Sequence, residues 1–221
     1  MKSWFFWILW ASFIGYAFGF APPERGDTFD LIQRLSSGQW DDINPAIVAL
    51  FNLMGIWPMI YACLALVDGR RQPFPAWPFV AASFGVGAFA LLPYLGLRVP
   101  NPSFAGEKSK LLSVVDSRWT GRAIAVGAIG LLLYGLTMGN WADFAAQWQI
   151  SPFIQVMSLD FCLLCALVPA LLGDDMARRG IDAKWIFWAV SLIPLVGIAV
   201  YLSLRPPLPE GTPSDAIASV S

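Results

Sequence analysis

Over most of this chain apolar residues neither alternate nor recur on one helical face. They run on in long stretches set apart by short polar ones. A helix that crosses the hydrocarbon layer needs roughly 20 mostly apolar residues, and six stretches reach or approach that length: 4–20, 44–67, 77–97, 120–138, 152–172 and 185–204. Asp68-Gly69-Arg70-Arg71 ends the second and Arg98 ends the third. Pro58, Pro93, Pro169 and Pro194 fall inside these stretches. Interior prolines break helices in water, but a membrane helix tolerates them with a kink. The pattern predicts an all-α polytopic membrane bundle of about six transmembrane helices, one domain over 1–204. A Pro-, Ser- and Gly-rich tail, 205–221, is expected to be disordered. Trp4, Trp40, Trp77, Trp119, Trp141 and Trp185 sit at or just outside the predicted boundaries, where an indole keeps its ring buried and its N–H wet. The first stretch resembles a signal peptide in having Lys2 and Gly19-Phe20-Ala21 at its two ends. Its apolar run is too long for one, and Pro22 directly after Ala21 hinders cleavage, so an uncleaved anchor is expected.

Three polar-flanked segments carry helical spacing outside the spans: 28–35, 107–116 and 141–150. Their apolar residues (Phe29, Ile32 and Leu35 in the first) gather on one side, which predicts short interfacial helices.

Composition agrees with a membrane setting. Hydrophobic residues make up 57% of the 221 and charged ones 13%, about half the charge of a soluble domain. The net charge of −1 excludes a basic nucleic-acid binder. The chain has no histidine, which excludes His-ligated haem or chlorophyll, His–zinc sites and His-based triads. With six crossings, ten of the 14 Lys and Arg fall in the connections 21–43, 98–122 and 173–184. The positive-inside rule then puts both termini on the non-cytoplasmic side, although Arg70-Arg71 pulls the other way.

Asp160 carries the most information, because a carboxylate at mid-bilayer costs roughly 2.5–3.5 kcal/mol on insertion scales. It needs a partner inside the protein or a ligand. Asn52 and Tyr61 are candidate partners, and Asn52 and Gln155 are the other deep amides able to clamp a helix or orient a ligand. Cys162 and Cys165 have C-x-x-C spacing, but deep in a span nothing activates a thiol, and packing is the expected role. Asp174 and Asp175 form a weak cation candidate. Their surroundings miss the D-G-x-x-A-R pattern of membrane phosphatidyltransferases, and a helix end beside Arg178-Arg179 is the simpler reading. Small residues four apart (Gly15/Gly19, Ala123/Gly127, Gly135/Gly139) predict close helix contacts or a partner's helix. No nucleotide-binding, serine-hydrolase or zinc-protease motif is present, so no catalytic residue and no metal site is assigned.

Four blocks carry a resemblance: Asn52–Tyr61, Gly87–Tyr94, Asp116–Gly121 and Ser158–Phe161. The chain resembles an uncharacterised family of multi-span membrane proteins of cyanobacteria and plastids. The resemblance implies a thylakoid or plasma membrane of a photosynthetic cell and supplies no activity. The expectation from sequence is a small accessory or assembly protein, contacting membrane lipids, a larger membrane protein complex and some pigment or lipid cofactor. The alternative is a small-molecule transporter or membrane enzyme using Asp160.

Overall fold

The computed structural model describes residues 3–24, 26–104 and 107–209, so the expected disorder of 210–221 lies outside the described residues. Among these residues every regular element is a helix. Three helices are long and apolar enough to cross a membrane: α3 (Pro45–Asp68), α7 (Arg118–Met138), and a rod, Pro152–Arg178, made of α9 (Pro152–Leu167) and α10 (Pro169–Arg178). Val168 keeps helical dihedrals where α9 meets α10, so Pro169 interrupts the hydrogen bonding without turning the chain. α1 (Ser3–Gly19) is shorter, at 17 residues. Short helices α2 (Thr28–Ser37), α6 (Lys110–Val115) and α8 (Trp141–Ile150) occur within or across the three polar-flanked segments.

Local chemistry sets the helix starts. The Asn44 side chain accepts from the Ala46 N–H, with Pro45 at the first helical position of α3. Ser117, Asn140 and Ser151 cap α7, α8 and α9 in the same way.

α3 is the central column. Its Trp57, Tyr61 and Leu64 are fully buried. α7 packs against it antiparallel, and small residues set the approach: a methyl group on Gly135 would come within 2.7 Å of Ala49 Cβ, and one on Gly139 within 2.8 Å of Ala46 Cβ. The rod α9–α10 lies alongside α3 and runs in the same direction. Tyr61 of α3 donates to the Leu164 carbonyl of α9 at 2.7 Å.

The stretches 77–97 and 185–204 depart from the sequence expectation, since neither is a single crossing helix. The first is two helices, α4 (Trp77–Val86) and α5 (Ala88–Leu97), folded back on each other at Gly87. The Phe79 and Tyr94 rings lie 5.7 Å apart, whereas 15 residues of continuous helix would hold them roughly 22 Å apart. Both ends of this hairpin meet the end of α3: Ala76 packs on Gly69, and Arg98 pairs with Asp68 at 2.7 Å. The second stretch is α11 (Lys184–Leu192) and α12 (Val196–Leu204), with Gly197 packed against the Val190 backbone. Its tip is a tight turn in which Val196 N–H donates to the Pro194 carbonyl around Leu195, at φ 60° and ψ −57°. Both turns need backbone conformations that a continuous helix excludes. Apolar composition alone does not show them, because a folded-back pair buries the same residues as a straight span.

α1 runs antiparallel to α5. Ser3 donates to the Gly96 carbonyl, Trp10 to the Phe89 carbonyl, and Phe13 stacks on Phe89 with centroids 4.2 Å apart. α12 runs antiparallel to α7, so tightly that a methyl group on Gly121 would meet the Leu202 carbonyl at 2.2 Å.

Candidate functional site

The tip of the first hairpin rests on Asp160. Gly87 adopts φ 52° and ψ −127°, a conformation that L side chains rarely take. A methyl group there would sit 1.8 Å from Asp160 Oδ2. Only glycine lets the carboxylate come this close. Asp160 Oδ1 accepts from the Ala88 N–H at 2.8 Å, so the carboxylate caps the amino end of α5 and meets the positive end of its dipole. Oδ2 has no hydrogen-bond partner among the described residues. Sequence reasoning paired Asp160 with Asn52 or Tyr61, and neither pairing occurs: its protein partner is a backbone N–H that exists only because the helix is broken at Gly87. Asn52 donates to Val48 O of its own helix at 2.8 Å, and Tyr61 is spent on Leu164.

A cleft of about 540 Å³ opens above this tip. The hairpin turns back here, so nothing from it fills the space toward the start of α9. Asp160 and Gly87 form the floor, Phe51, Phe89 and Phe153 stand in the walls, and Glu24 lies at the mouth. Asp160 is eight residues into the rod, about 12 Å from its start at 1.5 Å per residue. Gln155 lies one turn nearer the mouth and accepts from Tyr16 at 2.7 Å. It ties α1 to α9 beside the cleft and does not line it.

The opposite end is sealed by charge. Asp68, at the end of α3, accepts two bonds from Arg98 (2.8 and 2.7 Å), one from Arg178 (2.5 Å) and one from Tyr94 (2.6 Å). Arg98 also pairs with Asp174 and donates to the Ala170 carbonyl at 2.9 Å. Next to this group, Asp175 accepts from Arg179, Arg205 and Tyr201 at 2.9, 3.1 and 2.7 Å, and Arg179 reaches Asp116 at 2.7 Å. The first group fastens the α4–α5 hairpin to α3 and α10. The second fastens the α11–α12 hairpin to α10 and the start of α7. Burial opposes the charge on Arg98, but hydrogen bonds and attraction from Asp68, then Asp174, hold its pKa above the ordinary guanidinium value. Arg179 is likewise raised: burial works against its charge, and Asp175 and Asp116 outweigh it.

Asp174 and Asp175, the weak cation candidates, thus have guanidinium groups of the same chain as their cations. Among the described residues no three His, Cys, Asp or Glu side chains are grouped to hold a metal ion. All three cysteines are free thiols. Sequence reasoning missed Gly87, Asp68, Arg98 and Arg205. One signal for the hairpins was present: glycine or proline interrupting an apolar stretch near its middle (Gly85 and Gly87; Pro194), which in membrane proteins points to discontinuous helices. Comparison with family models, with curated proteins and with solved structures returned no match.

Proposed function

We propose that the protein is a small-molecule transporter of the membrane, with its binding site in the Asp160 cleft. One observation carries this reading: a carboxylate with one oxygen unpartnered among the described residues sits at the tip of a short helical hairpin, at the floor of a cleft open at one end and closed at the other by buried ion pairs. Discontinuous helices near mid-membrane are where membrane carriers place their sites, because backbone freed from helical bonding is tolerated there only when it is buried in protein or lines a cavity.

In this reading α1, α3, α7 and α9–α10 cross the bilayer, and the two hairpins enter and leave on the same side. That arrangement replaces the six crossings expected from hydropathy and reverses the expected orientation. Of the Lys and Arg among the described residues, only Arg34 lies at the cleft end, and all others lie at the ion-paired end. The positive-inside rule then puts the ion-paired end and both termini in the cytoplasm and opens the cleft to the other side. Arg70-Arg71 no longer conflicts with the rest. The resemblance to cyanobacterial and plastid proteins suggests a thylakoid or plasma membrane.

The test is Asp160→Asn, whose side-chain oxygen still accepts from Ala88 and so preserves the hairpin. Protein taken directly from native membranes into nanodiscs should retain a small molecule in the wild type and lose it in the variant at equal yield. Equal retention by both, or none by either, overturns the reading.

The accessory-protein reading has its own support. A methyl group on Gly15 or Gly19 of α1 would meet no other described part of the chain within 4 Å, so that face stays open to a partner's helix. The same preparation, examined for co-purifying protein and pigment, tests it.

A further inference from the structure

We infer that the cleft takes a protonated organic amine with an apolar body, received from the non-basic end of the molecule. The inference rests on the reading of the cleft as a ligand site and adds its substrate class.

Charge is the first argument. Asp160 forms the floor, Glu24 stands at the mouth, and no Lys or Arg among the described residues lines the cavity. The whole end around the mouth is acidic. The connections 21–43 and 139–151 hold Glu24, Asp27, Asp30, Asp41, Asp42 and Asp143 against Arg25 and Arg34. A cleft lined by one sign of charge with low-dielectric walls concentrates the opposite ion. An anionic ligand would meet this field and then the Asp160 carboxylate.

Hydrogen bonding is the second. The first donor that the broken helix offers at the floor, the Ala88 N–H, is already spent on Asp160 Oδ1. Oδ2 remains as an acceptor without a donor among the described residues. Asp160 is only 5% exposed, and a buried carboxylate oxygen gains most from a charged N–H donor. A ligand ammonium supplies one.

The walls are the third. Phe18, Phe51, Phe84, Phe89 and Phe153 line the cleft with Met54 and Met157. Aromatic faces attract organic cations, more strongly when both are removed from water, and thioethers adapt to an apolar body. A bare divalent ion would need six or more oxygen ligands, and the side chains of this lining offer two carboxylates and the hydroxyls of Thr28 and Ser83, the latter already donating to the Val80 carbonyl. A volume of about 540 Å³ lies in the range of small-molecule sites.

Three probes of one shape and different charge test the assignment: 2-phenylethylammonium, 2-phenylethanol and 3-phenylpropionate, each measured by equilibrium dialysis against the full chain in uncharged-lipid nanodiscs. The ammonium probe should bind saturably, about tenfold or more tighter than either of the others. Asp160→Asn should weaken the ammonium at least about tenfold and leave the alcohol unchanged. Phe153→Ala should weaken it without altering charge, which keeps the test usable if the first variant fails to fold. Alcohol binding as tight as the ammonium, and lost in Phe153→Ala, overturns the amine assignment and leaves the cleft as a ligand site. Preference for the propionate, or ammonium binding indifferent to Asp160→Asn, also overturns the assignment. Saturable binding of none of the three overturns both inference and reading.

Discussion

Gly87→Ala tests the central feature of the fold with a single methyl group. The new Cβ would lie 1.8 Å from Asp160 Oδ2 and 2.7 Å from its Cγ, so either the carboxylate or the hairpin tip must move. If they separate, the Ala88 N–H loses its acceptor, at a cost of about 1.5–3 kcal/mol for a hydrogen bond to a charged group. The alanine must also hold φ 52° and ψ −127°, which costs about 1–3 kcal/mol more. The sum is about 2.5–6 kcal/mol. For a chain of this size that corresponds to a fall in Tm on the order of 10 °C, measured as thermal unfolding in nanodiscs. The control lies two residues away. Gly85 is inside α4 with nothing within 4 Å of its would-be side chain, so Gly85→Ala removes only the helix penalty of glycine and should raise stability by about 0.5–1 kcal/mol. In an Asp160→Ala background the overlap is gone and the Ala88 hydrogen bond is already lost, so adding Gly87→Ala costs only the backbone term there and the two changes should be strongly non-additive. Equal melting of Gly87→Ala and wild type, or simple additivity in the double variant, refutes the contact.

Two further predictions address the sealed end and the path of the chain. Asp68→Asn leaves Arg98 and Arg178 buried without their shared carboxylate, so stability should fall by about 3–5 kcal/mol, with loss of monodisperse protein on gel filtration; unchanged behaviour would show that the ion pairs do not hold the hairpin. Pro73→Cys and Ser103→Cys, in a chain whose native cysteines are replaced, should react with a membrane-impermeant maleimide from the same side, because α4 and α5 return to the side they left. Labelling from opposite sides would restore a single crossing over 77–97.

Hydropathy was sufficient to show that the chain is helical and apolar, because burial of 20-residue stretches in lipid depends on composition and length, both of which are written locally. Helix starts were legible for the same reason: Asn44-Pro45 and Ser151-Pro152 cap and preset the first turn from adjacent residues. The importance of Asp160 was also legible, since a carboxylate deep in an apolar stretch is costly wherever the chain goes. Its partner was not, because the Ala88 N–H becomes available only when Gly87 breaks the helix, 73 residues earlier in the chain. The path of 77–97 and 185–204 could not be read from composition either. A straight span and a folded-back pair bury the same side chains, and what separates them is distant chemistry: Arg98 returning to Asp68, and Arg205 to Asp175. The proposed path changes the expected orientation for that reason, since the positive-inside rule counts charges correctly only when the chain path between them is known. Sequence determined how apolar the chain's stretches are and which residue is out of place in them. Tertiary structure decided where the chain turns back, and with that which end is basic, which end is open, and what the aspartate faces.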